Sequence, residues 1–327
     1  MQNIHWGVIG CGNIAHQFAR GIKKLDNCSI VAGASLTTGR AESFAKTHQI
    51  QSSYTNYQSL VNDPNVHAVY IATTHNFHFE NIKLCLEKGK HVLCEKPFTI
   101  NAEQSKTLAV LAKQNNCFMM ECVWTRFLPT IQHLSQLLAQ NVIGDVHTVK
   151  ANFSICSKVD PGHRLRNKAL AGGALLDLGI YPLTLASIVF GDTPSKIQSS
   201  AVMNEDGIDE SSCYLLEYEH GQRAILSSSI TEYAPNDGII SGSNGYIVIP
   251  NFLGAQELHV HINDQPSQIL SFPFDEDDNF VFETSHAMEC IRQNKCESDI
   301  LPLNKTTAMM TLMDTLRKQW GLKYPGE

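Results

Sequence analysis

Asp177 and Tyr181 stand four residues apart in AGGALLDLGIYP, residues 171–182, among apolar neighbours. On a helix this spacing puts a carboxylate and a phenol on one face. A phenol so placed suits general acid–base work. An unperturbed tyrosine titrates near 10, so acting as a base at pH 7 needs a shift of about 3 units, about 4 kcal/mol. A neighbouring cation shifts it in that direction. Lys96, in Glu95-Lys96-Pro97 after an apolar run, is a candidate for that cation. Asp177 can orient the ammonium or a substrate hydroxyl. Set too close to Tyr181, it would instead raise the phenol's pKa.

A second pattern opens the chain. The apolar run Ile4 to Ile9 leads into Gly10-Cys11-Gly12-Asn13-Ile14-Ala15, then into a helical pattern from Ile14 to Lys24. This is G-x-G-x-x-A at a strand-to-helix turn. Gly10 allows the tight turn, Gly12 lets a pyrophosphate approach the backbone, and Ala15 lets helix and sheet pack closely. The helix N-terminus offers free N–H groups and partial positive charge to phosphates. A nicotinamide dinucleotide bound there would take hydride while Lys96 and Tyr181 manage the hydroxyl proton and the developing alkoxide.

The cofactor expected is NADP, with NAD possible. A site for NAD ordinarily has Asp or Glu at the end of the second strand. Here Ser29 to Ala34 is followed by Ser35-Leu36-Thr37-Thr38-Gly39-Arg40, without an acid. Ser35, the threonine hydroxyls and Arg40 suit a ribose 2′-phosphate instead.

The elements that must position these groups alternate in the first third. VHAVYIATT (66–74) is near-continuously apolar, as in a parallel strand buried on both faces. A helix follows His75-Asn76-Phe77-His78. HVLCEKP (91–97), a helix over about 101–115, and CFMMECVW (117–124) continue the series. Ligands of such sheets bind beyond the carboxyl ends of the strands, where Gly10, Thr73, His75, Lys96 and Trp124 fall. Beyond this region strands predominate: 146–155, the pair 211–219 and 222–231, and segments bracketing Asn244-Gly245, a hairpin signal. A helix over 304–320 ends at a glycine, and the acidic run 275–278 reads as a solvated loop. The fold expected is a Rossmann doubly wound parallel sheet over 1–122, then an α+β domain with a large, mostly antiparallel sheet over 123–327.

The chain has 327 residues, 43% apolar and 17% charged, with net charge −7. That balance is globular, and the diffuse negative charge argues against nucleic-acid or anionic-membrane partners. Ten scattered cysteines without a C-x-x-C pair suit thiols used as small hydrophobes in a reducing compartment. Neither a signal peptide nor a membrane-spanning run is expected, and a cytoplasmic location follows.

The glycine turn and Glu95-Lys96-Pro97 together resemble the Gfo/Idh/MocA family of NAD(P)-dependent oxidoreductases. ECVWTRFLP (121–129), Arg164-Leu165, AGGALLDLGIYP, IISGSNG (239–245) and RKQWGLKYP (317–325) are similar to the branch holding dimeric dihydrodiol dehydrogenases and NADP-dependent D-xylose 1-dehydrogenases. The resemblance spans nearly the whole chain. Many family members have histidine where Tyr181 stands, and this branch has tyrosine. It implies an NADP-dependent dehydrogenase for a sugar or cyclic diol hydroxyl, with the sugar slightly preferred because Arg164 and Asp177 offer polar contacts.

Lys96, Tyr181 and Asp177 are then the catalytic candidates. Trp124, Phe153, Arg164, Asp177 and Tyr181 would face substrate. Gly10, Cys11, Gly12, Asn13, Ile14, Ser35, Arg40, Thr73, His75, His78, Glu95, Lys96, Pro97, Trp124 and Arg126 would surround the cofactor. His75 and His78 have a spacing seen at metal sites but no evident third ligand, so no metal is expected. The resemblance also implies a homodimer through the second sheet. The alternative reading is a non-catalytic dinucleotide-binding sensor on the same fold.

Overall fold

The computed structural model describes residues 3–160 and 162–327. The chain divides into two units, Met1–Trp124 with Asp275–Thr307, and Thr125–Phe274 with Ala308–Glu327.

In the first unit β1 (Ile4–Ile9), β2 (Cys28–Ala34), β3 (Ser52–Tyr54), β4 (Ala68–Ile71), β5 (His91–Glu95) and β6 (Met119–Cys122) form one sheet in the order β3-β2-β1-β4-β5-β6. All neighbours pair in parallel. This is the doubly wound dinucleotide-binding order, and its crevice opens where the order reverses, between β1 and β4. Helices α1 (Asn13–Ile22), α2 (Arg40–His48), α3 (Tyr57–Asn62), α4 (His78–Glu87) and α5 (Ala102–Gln114) connect the strands. Asn56 and Asn101 start α3 and α5 by accepting from the amides of Ser59 and Gln104. Every residue of β4 is buried, which is why its run shows no polar alternation.

The second unit holds α6 (Pro129–Ala139) and an eight-stranded sheet. Its strands are β7 (Val146–Ser154), β8 (Lys196–Met203), β9 (Asp209–Glu217), β10 (Arg223–Ser229), β11 (Gly238–Gly242), β12 (Gly245–Ile249), β13 (Glu257–Ile262) and β14 (Gln268–Ser271). Their order is β14-β13-β12-β11-β7-β10-β9-β8, and only β7 and β10 pair in parallel. Gly242 pairs with Gly245, so the β11–β12 loop is Ser243-Asn244, one residue earlier than the Asn-Gly signal suggests.

One face of this sheet packs under the helical stretch ending in α7 (Ile180–Phe190), where Leu176, Ile180 and Leu183 are fully buried. The segment Lys168–Phe190 is long and apolar enough to cross a membrane by length and composition, contrary to the expectation of no such run. With 83% of that window buried, it serves as the core helix of this unit. Eight of its residues from Ile180 to Ser187 are buried, so it carries no polar stripe.

Residues 275–307 return to the first unit, where the sequence suggested one boundary near 122. The acidic run is an N-terminal cap rather than a free loop. Asp275 and Asp278 form a capping box ahead of α8 (Asn279–Arg292). Asp277 pairs with Arg20 at 2.9 Å and Asp278 with Lys24 at 2.6 Å, at the end of α1. Phe280 then closes an aromatic cluster, edge-on to Phe18 and Tyr70, which stack 3.8 Å apart. The sheet face beside α1 needs this cover, which explains why the chain comes back. The last helix, α9 (Leu303–Trp320), starts among these residues and ends at Gly321, whose φ is +71°.

Candidate active site

The glycine turn has the geometry a pyrophosphate needs. Gly10 has φ +90°, and a Cβ there would lie 2.8 Å from the Ala72 carbonyl oxygen and 2.9 Å from the Thr73 nitrogen. A side chain is excluded on both conformational and steric grounds. Gly12 is the N-cap of α1 without a side-chain cap, and a Cβ there would meet nothing within 4 Å. The first amides of α1 are thus open to an anion, with exposed Asn13 and half-buried Ile14 beside them. Cys11 points inward. Its thiol donates to the Ala34 carbonyl, and burial pushes its pKa up to about 12, so it is a neutral filler.

Beyond β2, Ser35 is buried and its hydroxyl accepts from the Thr37 amide at 3.2 Å. Arg40 is exposed at the first position of α2, after Gly39 in the left-handed region. These residues fit a 2′-phosphate, since the cation is free in solvent and no carboxylate stands in the 35–40 turn.

The loops after β4 and β5 are tied together through His78. Its Nδ1 lies 2.9 Å from the Pro97 carbonyl oxygen and its Nε2 3.1 Å from that of Thr73. A neutral imidazole donates only one of these bonds. Burial lowers the His78 pKa and favours that neutral ring. The side chain is 0% exposed, which leaves no surface for a ligand. His78 therefore holds the loops rather than contacting cofactor, a correction to its expected role.

Asn81 adds a bond to the Thr73 hydroxyl at 3.1 Å. His75 is buried, its ring 6.0 Å from that of His78. Among the described residues no three metal-ligating side chains gather into a site. Lys96 is half-buried, and its peptide bond to Pro97 is cis. Glu95 accepts from the Tyr70 hydroxyl at 2.6 Å, so one carboxylate oxygen faces the sheet interior. Trp124 is half-buried at the start of a 3₁₀ turn, Trp124–Phe127, after β6.

In the second unit the structure brings two predicted pairs together. Arg164 grips Asp177 with two bonds, 2.8 and 3.3 Å. The Asp177 side chain is 6% exposed and that of Arg164 41%. The bidentate pair balances the Asp177 charge, which removes the objection that a carboxylate there would raise the phenol's pKa and keep Tyr181 from ionising to act as a base. Tyr181 is 4% exposed, its ring edge-on to that of Phe153 at 5.5 Å. Arg126 is 6% exposed and donates to the Ser187 hydroxyl on α7 at 2.6 Å. That amino group serves the fold of this unit, where a cofactor or substrate contact was expected.

Asp177 and Tyr181 do not stand on one regular α-helix. Residues Leu175–Gly179 form a π turn, in which the Ile180 amide reaches back five residues to the Leu175 carbonyl, and α7 starts only at Ile180. Pro182 has no N–H for the Leu178 carbonyl and its ring would crowd that oxygen, so the wider turn relieves a strain written in the sequence. Such turns are frequent at functional sites. Sequence reasoning also passed over Asp209, Tyr214, Tyr70 and Glu283, all buried polar residues. Their signal was weak, a lone polar residue in an apolar strand or an unrecognised helix.

The fold and these sites define an oxidoreductase with an NAD-binding Rossmann domain. The chain belongs to the Gfo/Idh/MocA family. The oxidoreductase family model with an NAD-binding Rossmann fold matches residues 4–122, and the family's C-terminal domain model matches 131–248. Among curated relatives, trans-1,2-dihydrobenzene-1,2-diol dehydrogenases are similar over the whole length. That of Mus musculus is 34% identical over 331 residues, covering 98% of both chains. That of Xenopus laevis is 33% identical over 329 residues, covering 98% of this chain and 99% of the relative.

Solved structures share the fold. The aldose–aldose oxidoreductase of Caulobacter crescentus superposes with a TM-score of 0.88 at 20% identity, covering 97% of each chain. A 3-ketoreductase from Actinomadura kijaniata, in complex with NADP and TDP-benzene, gives 0.86 at 24% identity over 97% of this chain and 98% of that one.

Proposed function

We propose that this protein is an NADP-linked dehydrogenase that oxidises one hydroxyl of a cyclic vicinal diol or a sugar. The observation that carries the reading is the buried phenol of Tyr181, four residues after an Asp177 whose charge Arg164 already balances. The first unit supplies the nucleotide surface: the uncapped amides of α1, Gly12, and Arg40 for the 2′-phosphate. NADP, when bound, accepts the hydride from the substrate carbon. Tyr181 takes the hydroxyl proton, and Lys96 stabilises the oxygen as it becomes a carbonyl. Arg164 and Asp177 orient a second hydroxyl of the substrate. The curated relatives, named for a cyclic diol, support the diol as the class to test first.

The test is a set of initial rates with NADP and NAD against trans-dihydrodiols, aldoses and acyclic polyols. Turnover with a diol or an aldose and NADP is the expected result. Tight dinucleotide binding without turnover across the panel would overturn the reading in favour of a sensor. In the same assay Arg40→Ala is expected to raise KM for NADP about 10- to 100-fold, the worth of one charge-assisted phosphate contact, and to leave NAD kinetics unchanged.

We further propose that the open face of the second sheet meets a second copy of this chain. The pairing register aligns Leu215, Ile225, Lys150, Ile239, Val248, His259 and Ile269 in one row across it. Ile225 and Ile269 are 47% and 62% exposed there, a surface that an isolated chain leaves to water.

A further inference from the structure

We infer that Asp209 is a positioning residue, which from β9 fastens the turn that sets Asp177 and Tyr181 in place. The inference rests on the proposed function above for its catalytic consequence.

Asp209 is fully buried, and its Oδ2 accepts from the Leu175 amide at 2.6 Å. Leu175 is also the residue whose carbonyl receives the π bond from Ile180. One carboxylate therefore holds the residue on which the wide turn closes, with Asp177 two residues on and Tyr181 directly after Ile180. The backbone is shaped around this contact. Gly173 has φ +128°, and a Cβ there would lie 2.2 Å from Asp209 Oδ1. The Gly172 carbonyl is held from the other side by the Tyr324 hydroxyl at 2.8 Å.

The same strand supports the far end of the turn. Tyr214 bonds Ser212 and Ser228 at 2.6 Å each, and a Cβ on Gly179 would lie 2.6 Å from its hydroxyl. Two residues of one strand thus meet both ends of an otherwise apolar helix start, Asp209 by a bond to Leu175 and Tyr214 by close packing against Gly179. A carboxylate at a helix N-terminus is favoured by the free amides it meets.

The titratable groups facing Asp209 are Arg317 and the phenols of Tyr324 and Tyr214. Arg317 is itself engaged by Asp314 and Glu327. Burial raises the Asp209 pKa to about 7, against the pull of the Leu175 and Ala174 amides and of Arg317. The carboxylate grips these amides fully only above that value, so its hold on the turn changes near neutral pH.

The experiment compares wild type, Asp209→Asn and Asp209→Ala. Each is assayed for kcat and KM between pH 5.5 and 8.5. Hydrogen exchange over residues 174–180 is followed by mass spectrometry. Asp209→Ala is expected to lower kcat about tenfold or more, with KM for NADP unchanged. Its exchange should accelerate in 174–180 and not in β10. Asp209→Asn keeps an oxygen for the Leu175 amide. It should recover kcat to within about threefold and lose the inflection near pH 7.

Wild-type kcat, pH profile and exchange in both variants would overturn the inference. If Asp209→Ala fails to fold, an unchanged pH profile and exchange in Asp209→Asn would overturn it alone. If wild type turns over no diol or sugar, the proposed function fails. Accelerated exchange confined to 174–180 would then still support Asp209 as the anchor, and unaltered exchange would refute it.

Discussion

Tyr181→Phe is expected to lower kcat by about 100- to 1,000-fold while leaving the affinity for NADP unchanged. The substitution removes one oxygen. The ring keeps its edge-on contact with Phe153 and its buried place at the start of α7, so the fold has little reason to change. What is lost is the group that takes the hydroxyl proton. Transfer of that proton to a positioned base is worth two to four orders of magnitude, and binding of substrate draws mainly on other residues. The check is a pair of measurements on the purified variant: steady-state rates with the substrate identified in the panel, and a fluorescence titration with NADPH. A variant as fast as wild type would place the acid–base group elsewhere. Failure to bind NADPH would point instead to a disturbed fold.

The nucleotide half of the protein is legible in the sequence because backbone geometry forces residue types there. Gly10 cannot carry a side chain against Ala72 and Thr73, so the turn shows as glycine at its position. The buried parallel strands show as short apolar runs because both faces are covered, as β4 illustrates. The Tyr181 stretch stands out since polar groups amid apolar neighbours are uncommon without a use, whereas Lys96 is marked by the family resemblance of Glu95-Lys96-Pro97, since most lysines are simply solvated. The resemblance then joined these fragments into one family reading.

What escaped the sequence depends on partners far along the chain. The run 275–278 is acidic, and acidic loops are usually solvated. Only the arrival of Arg20 and Lys24 some 250 residues away turns it into a clamp on α1. The π turn follows from Pro182, but a proline inside a helical pattern equally suits a kink or an end. Arg126 suits a ligand contact by its place in the Trp124–Phe127 segment that resembles the family branch, and its burial shows only in the fold. Its partner Ser187 lies 61 residues later. The place of His78 at a strand end suits a ligand contact, and such a place does not tell a ring that faces a cofactor from one bridging two carbonyls.

Glu283→Gln is expected to stabilise the first unit at neutral and alkaline pH by about 1–2 kcal/mol, and not at pH 4. Glu283 is fully buried on α8, and among the described residues neither carboxyl oxygen has a hydrogen-bond partner. Cys122 offers only a weak thiol contact. Burial, then the nearby Glu95 and Glu121 charges, push its pKa well above the ordinary carboxylate range.

The sign follows from linkage. A group whose pKa is raised on folding gives its full stability below the unfolded value near 4.5, and that stability is lost as pH climbs toward the folded value. Keeping a carboxyl protonated at pH 7 costs about 3 kcal/mol against its ordinary value. Glutamine has the same shape and needs no proton. Part of the gain is offset, because the amide brings two N–H groups into a place with few acceptors. Thermal unfolding at pH 4 and pH 8 would check this, with a rise in Tm of a few degrees at pH 8 only. A variant less stable than wild type at pH 8 would mean that Glu283 is ionised and held by a partner, and the packing between α8 and the strand ends carrying Glu95 and Cys122 would then have to be read as a charged site rather than a neutral one.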